Sequence, residues 1–240
     1  GGGTGAWGPR AATAPGQHKD ELGLCAGYVG LSQVDKGMSA VDASEKKEPN
    51  SALVPNLRGA VYLAKRDLKN ARISFEKSLQ LQPDNTAAAR NLAVLDMQEG
   101  NPQAARERYD RMLAKDPKNE QLLLASAELL TVTGASPEQV KATIDKAVAG
   151  NPASVRARRA LSCYEARHGD VKAAVAAARD GLSAIPNNPQ LTEALGAAQL
   201  ASGDFNQAIE AFRRLAQLQP QNPLVFLRLS QAQAAVKDYT

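Results

Sequence analysis

The chain has 240 residues, 29 Lys and Arg against 25 Asp and Glu, and a net charge of +4 at pH 7. With 43% hydrophobic and 22% charged residues its composition is that of a folded chain, and no run reaches the roughly 18 apolar residues of a membrane-spanning helix. Aromatics make up only 4% while 44 residues are alanine, so the apolar content packs through small side chains, which favours helices over sheets.

A surplus this small, spread over the whole length, is not the dense basic face of a nucleic-acid binder. The two cysteines, Cys25 and Cys163, stand far apart with apolar or small neighbours. They form neither a disulfide framework nor a close-set metal site, and both are expected to be small buried hydrophobes.

Residues 1–17 are mainly Gly, Ala, Thr and Pro with one tryptophan, Trp7, and no periodicity. That composition predicts a disordered tail or an expression remnant. Gly3, Gly5 and Gly8 match G-x-G-x-x-G, but a phosphate loop needs a strand before it and a helix after it, and this aperiodic stretch predicts neither. Leu22-Gly23-Leu24-Cys25 has the outline of a lipoprotein cleavage box. Leu24 is too large for its place there, and residues 1–21 do not have a basic-then-apolar pattern, so no cleavage site is expected.

Beyond the tail the chain is periodic. Prolines fall at Pro49, Pro83, Pro117, Pro152, Pro186 and Pro220, at intervals of 34, 34, 35, 34 and 34. In step with them, a turn carries Gly100, Gly134, Gly169 and Gly203, with Arg66 as the exception, followed by Asp67, Asn101, Ala135, Asp170 and Asp204. Twelve residues before each of the last five prolines lies a small or branched residue: Ala71, Ala105, Val140, Ala174 and Ala208. Eight before it stand Phe75, Tyr109, Ile144, Ala178 and Phe212. A Leu–small pair recurs at Leu92-Ala93, Leu161-Ser162, Leu195-Gly196 and Leu229-Ser230.

Each repeat therefore predicts two short helices. Gly supplies the left-handed stop, Asp or Asn caps the next helix, and Pro blocks continuation. Small residues let the paired helices approach, and the aromatic wedges between repeats. Isolated helices shorter than about 12–15 residues are marginal in water, so stability has to come from stacking into a continuous core.

This pattern resembles the tetratricopeptide repeat. The strongest stretches are Leu195-Gly196, Gly203-Asp204, Ala208, Phe212 and Pro220, and earlier Gly59, Tyr62, Ala71, Phe75 and Pro83. The resemblance implies an all-α fold, a right-handed superhelical solenoid of antiparallel helix pairs. Five repeats are delimited at 52–85, 86–119, 120–154, 155–188 and 189–222. A degenerate one precedes them at 18–51, with Gly37 and Val41 at the small and aromatic positions, and 223–240 supplies the first helix of a further, truncated one. The third repeat carries one inserted residue in Gly134-Ala135-Ser136-Pro137 and the fourth lacks the aromatic, so these two are expected to be the loosest joints.

Within the family, the phrasing at 60–79, 134–140 and 235–239 is similar to the repeat lipoproteins that accompany exosortase (PEP-CTERM) exopolysaccharide systems. That likeness implies an interior piece of a larger envelope protein, periplasmic or anchored at the outer membrane; without it the chain is expected to be cytoplasmic.

No catalytic constellation is expected, and no enzyme activity, cofactor or metal. His168, beside Arg167 and Asp170, is explained by a helix C-terminus, His18 lies near the tail, and Asp20-Glu21 reads as an exposed helical end; general acid–base work needs groups converging in a shielded pocket. The resemblance implies instead a concave groove lined by the first helix of each repeat, which binds other proteins. Carried onto this chain, its contact residues are Asn56, Arg90, Asn91, Gln121, Glu128, Arg156, Arg159, Arg167, Glu193 and Arg228, with Gln98, Gln190 and Gln231 and with Leu63, Val94, Met97 and Leu124 interleaved. Arg156, Arg159 and Arg167 form a cluster suited to carboxylate or phosphate groups. Val94 stands where a chaperone carboxylate clamp has Asn, so that role is not implied. An RNA-reading helical-repeat protein is the alternative, suggested by the 35-residue interval and the basic excess, but no nucleic acid is expected in so thinly basic a groove. The truncated end is expected to leave Leu224, Leu227 and Leu229 partly uncovered and open to self-association.

Overall fold

The computed structural model describes residues 34–238, which form twelve α-helices and, among the described residues, no strand. The tail at 1–17, His18, Asp20-Glu21, the Leu22–Cys25 stretch and the first half of the 18–51 repeat lie outside the described residues. The helices are α1 Val34–Lys47, α2 Leu53–Ala64, α3 Leu68–Leu81, α4 Thr86–Gln98, α5 Pro102–Lys115, α6 Glu120–Val132, α7 Pro137–Gly150, α8 Val155–Arg167, α9 Val171–Ala184, α10 Pro189–Ala201, α11 Phe205–Leu218 and α12 Pro223–Asp238. Even-numbered helices from α2 onward open a repeat and odd-numbered ones close it. The chain divides into two compact units, Gly1–Ala105 and Arg106–Thr240.

Side chains at the predicted turns start the helices. Asp67 accepts from the Asn70 amide, Asn101 from Ala104 and Asp170 from Ala173. The openings after the prolines are capped alike, by Asn85, Asn119, Ser154 and Asn188. Each bond satisfies one of the orphan amides of a first turn. The side chain and the amide of Asn70 both donate to Asp67, and together they hold its carboxyl below the usual range.

The hairpin turns all need a left-handed residue. Gly100, Gly134, Gly169 and Gly203 have φ between 74° and 84°, and Arg66 takes φ 60° at the equivalent place despite its side chain. The inserted residue of the third repeat is absorbed by moving the cap. Ala135 only closes the turn, donating to the Leu130 carbonyl at 2.9 Å, and Ser136 caps α7 with a full capping box to Gln139.

In the first unit, α2 and α3 close on Gly59, whose bare Cα receives the Phe75 ring. Phe75 is fully buried with Ala71, Leu92 and Leu95. Gly37 and Val41 of α1 occupy the expected small and aromatic positions and are buried, Val41 beside Val54 and Val61. In the second unit, Leu123, Leu124, Ala147 and Ala157 form one cluster and Ala127, Val140, Ile144 and Tyr164 the next. Ala208, Phe212, Leu215, Val225 and Ala232 close it toward α12.

The fourth repeat, expected to be loose for want of an aromatic, is closed by another device. Ala174 and Ala178 are both fully buried, and Ser162 Oγ donates to the Ala174 carbonyl at 2.9 Å. Two alanines let the helices approach until a serine hydroxyl spans the seam. The burial expected for cysteine also fails: Cys163 is exposed, because it lies on the side of α8 opposite the hairpin seam.

Two joints are fastened by ion pairs in the same register. Arg72 of α3 reaches Asp96 of α4 at 2.9 Å, and Lys141 of α7 reaches Glu165 of α8 at 3.1 Å. Asp96 and Glu165 are both buried, so leaving either without its cation would cost several kcal/mol. The corresponding place in α10 holds Gln199, which turns to Gln207 of α11 instead.

Candidate functional site

In the second unit consecutive first helices pack side by side, α6 on α8 and α8 on α10. The 3.6-residue period turns one face of each helix into the core and the opposite face outward. On α8, Ala157, Ser162, Tyr164 and Glu165 are buried, whereas Arg156, Arg159, Cys163 and Arg167, spaced 3, 4 and 4 residues apart, form one exposed stripe. The equivalent exposed positions of α10 are Gln190, Glu193, Ala197 and Ala201. On α6 they are Gln121, Glu128 and Val132, the last 68% exposed. The same register on α12 carries Leu224, Leu227 and Gln231, with Leu224 and Leu227 66% and 53% exposed. Arg228, also exposed, sits one residue round the helix from Leu227.

The arginines of the α8 stripe differ from Arg58 and Arg72, which tie helices together. Arg58 is held by Asp42 and Glu45, and Arg72 by Asp96 and Glu99. Burial opposes the charge of both, but the carboxylates together more than offset it and hold each guanidinium more firmly protonated than usual. Among the described residues Arg156, Arg159 and Arg167 make no ion pair, while their neighbour Arg158 is tied to the Pro152 carbonyl at 3.0 Å. Three forked cations thus face solvent with their hydrogen-bonding capacity unspent.

Several expected contact residues are placed differently. In the first unit Asn56 is buried and accepts from Asn91 Nδ2 at 3.3 Å, so these two amides bond to each other across α2 and α4. Arg90 and Gln98 are exposed on α4 with Val94, which is 48% exposed. Leu63 packs into the Phe75 cluster, Met97 is half-buried and Leu124 lies in the core at 8% exposure, so Val94 alone of the four interleaved apolar residues faces fully outward. The reason is local: a shift of one position on a helix rotates a side chain by about 100°. At the far end Leu229 packs against the Phe212 cluster, leaving Leu224 and Leu227 as the uncovered pair.

Elsewhere the chemistry is structural. His168 is the C-cap of α8, its Nδ1 2.9 Å from the Tyr164 carbonyl and its ring stacked on Tyr164 at 4.0 Å. Tyr164 Oη donates to the Pro137 carbonyl at 2.6 Å, and burial, then the Glu165 charge, raises its pKa. A hollow of about 660 Å³ opens between α9, α10 and α11, lined by Leu182, Thr192, Leu195, Gln199 and Arg214 among others. Gln207 accepts there from both Gln199 and Arg179, the Oε1 of Gln199 is buried without a hydrogen-bond partner, and Glu210 at the edge pairs with Arg213. Among the described residues no group of three or more His, Cys, Asp or Glu could hold a metal ion, and no helix is long and apolar enough to cross a membrane.

Sequence reasoning missed the buried Asp96 and Glu165. The signal was present, since both stand at the eleventh position of their repeats, each opposite a cation on the preceding helix.

Models of the tetratricopeptide repeat family match residues 62–129 and 189–232. BBSome complex member BBS4 from Bos taurus is 29% identical over 113 residues, which cover 47% of this chain and 21% of that protein. The matched stretch thus spans about a fifth of that relative. Among solved structures, PilW, a widely conserved type IV pilus biogenesis factor, aligns with a TM-score of 0.61 at 17% identity over 91% of this chain and 99% of its own. PilF from Pseudomonas aeruginosa aligns with a TM-score of 0.56 at 14% identity, covering 90% and 96% of the two chains. A thermophilic repeat protein from Thermus thermophilus gives 0.56 at 19% identity, covering 77% and 100%. At these identities the likeness concerns the fold alone. The capped hairpins, the left-handed turns and the matched residues together establish tetratricopeptide repeats at 62–129 and 189–232 and, for the described residues, the all-α fold of that repeat.

Proposed function

We propose that the chain is a non-catalytic scaffold whose first-helix face holds an extended or helical segment of another protein. Tetratricopeptide-repeat proteins bind other proteins, and the observation that carries the reading to a site is the α8 stripe. It presents three exposed guanidinium groups, unpaired among the described residues, beside the receding surface of Ala197 and Ala201. The contact set is Gln121, Glu128, Arg156, Arg159, Arg167, Glu193 and Arg228, all in the second unit. A pull-down followed by titration tests it: changing Arg156, Arg159 and Arg167 to Ala lowers partner affinity at least tenfold, and unchanged affinity removes α8 from the site.

The phrasing at 60–79, 134–140 and 235–239 supports a place for this scaffold in a bacterial envelope, in assembly of an exopolysaccharide system of the exosortase (PEP-CTERM) type. There it is a periplasmic or outer-membrane-anchored lipoprotein. Fractionation of the protein in its host checks this; recovery from the cytosol contradicts it.

The exposed Leu224 and Leu227 support self-association through α12. Analytical ultracentrifugation at rising concentration then shows a dimer that Leu224→Gln with Leu227→Gln abolishes. A monomer at every concentration opposes it.

A further inference from the structure

We infer that the α8 stripe reads an acidic, extended segment of the partner, with two carboxylates four residues apart on either side of a small or apolar residue. The inference rests on the docking role proposed above and names the chemistry of the occupant.

Charge bookkeeping along the stripe sets the number of carboxylates. The register across neighbouring helices puts Glu193 of α10 level with Arg159, Glu128 of α6 level with Cys163, and Val132 and Ala201 level with Arg167. At the first end Arg156 and Arg159 together face one carboxylate, Glu193, which leaves about one positive charge uncompensated. In the middle, Cys163 lies between Glu128 and Ala197, so a further acid there meets a like charge. At the second end the residues level with Arg167 are Val132 and Ala201, both uncharged, which again leaves one positive charge. The face therefore selects acid at both ends and rejects it in between.

Helical and extended rises set the spacing. Arg159 and Arg167 are eight residues apart, about 12 Å along the helix at about 1.5 Å per residue. An extended chain advances about 3.3 Å per residue, so four residues cover about 13 Å. Side chains alternate in such a chain, so residues i and i+4 point toward the same face, where they meet Arg159 and Arg167. Residue i+2 then lies over Cys163 and Ala197, where a small or apolar side chain fits the exposed thiol and the alanine. Guanidinium forks bind carboxylates with two parallel bonds, which rewards this register over a diffuse acidic cloud.

Cys163 at the centre of the stripe supplies the readout. In the full chain carrying Cys25→Ser, the rate of Cys163 alkylation by iodoacetamide is followed with and without a synthetic peptide, Gly-Asp-Val-Ala-Val-Asp-Gly. The acidic peptide slows alkylation at least threefold at low salt and loses this effect at high salt, as exposed pairs are screened. Its Asn-for-Asp counterpart leaves the rate unchanged. Arg156→Ala, Arg159→Ala and Arg167→Ala together abolish protection while leaving the melting temperature in place, since all three side chains are exposed. Equal protection by the two peptides overturns the acidic reading and leaves the docking face standing. No protection by the acidic peptide also overturns it; protection by a partner captured in the pull-down then shows that the face still docks. Stronger protection by a short single-stranded RNA than by the acidic peptide overturns both.

Discussion

The ring of Phe212 fills the place that a β-carbon on Gly196 would take: a carbon built there meets Cε1 of the ring at 2.8 Å. Gly59 and Phe75 repeat this relationship, at still closer range, in the first unit. Glycine in a helix costs about 1 kcal/mol against alanine, so its presence in α2 and α10 is explained by the wedge it admits. Gly196→Ala and Gly59→Ala are expected to overpack the hairpin and destabilise by about 1–3 kcal/mol. Ala71→Leu and Ala208→Leu, at positions with no exposed surface, are expected to cost a similar amount. Thermal melts decide; a variant as stable as the parent shows that the ring has room to move.

Arg66 occupies a left-handed turn that four other repeats give to glycine. A side chain in that region costs roughly 1–2 kcal/mol, and glycine gives back part of the gain as unfolded-state entropy. Arg66→Gly is expected to stabilise by about 0.5–1 kcal/mol, read from denaturant midpoints. A loss of stability would show that the arginine side chain has a role in the folded state that outweighs the strain.

Asp96 is almost fully buried against Arg72, which remains a quarter exposed. Asp96→Ala removes one partner of a mostly buried pair and is expected to cost about 2–3 kcal/mol, at or below the range for a fully buried pair because Arg72 keeps Glu99 and some water. Replacing both Asp96 and Arg72 by Leu and Met is expected to recover most of that loss. A double-mutant cycle with no coupling between the two contradicts the joint as described.

The α7–α8 joint is sensitive to alkali. Burial opposes the Lys141 charge, but Asp145 and Glu165 together more than offset it and raise the ammonium pKa above its ordinary value. Burial and the Glu165 charge raise that of the Tyr164 phenol. A raised folded pKa contributes stability that is complete below the unfolded value, about 10 for both groups. That contribution is lost as pH rises through the folded value. The melting temperature therefore falls above about pH 10, and Tyr164→Phe makes that fall shallower. It also lowers stability at pH 7 by about 1 kcal/mol through loss of the bond to Pro137. A melting temperature flat to pH 12 contradicts this.

The proline period and the turn residues made the repeat readable without coordinates, because each marks a place where the backbone has little choice. Gly100 and Gly203 stop helices for the same reason in the chain as in the alignment of its repeats. The groove was harder to read. A first helix has three sides, toward its hairpin partner, toward the neighbouring repeats and outward, and Leu124 and Asn56 sit close enough to the border that counting positions puts them outward when packing takes them in. Cys163 was misjudged by residue type, which says nothing of the face it occupies. The ion pairs of Asp96 and Glu165 depend on which helix of the preceding repeat lies opposite, a relation that appears only when two repeats are compared in register. The moved cap at Ser136 was likewise hidden behind the apparent defect of an inserted residue.

The docking claim is tested most directly by amide and side-chain NMR of the chain titrated with the partner segment that a pull-down recovers. The account predicts that shift changes cluster on the outward stripe of the first helices, at Gln121, Glu128, Arg156, Arg159, Arg167 and Glu193, with the closing helices α7, α9 and α11 largely unchanged. Changes confined to α7, α9 and α11, with the arginine side-chain signals of α8 unmoved, would contradict it.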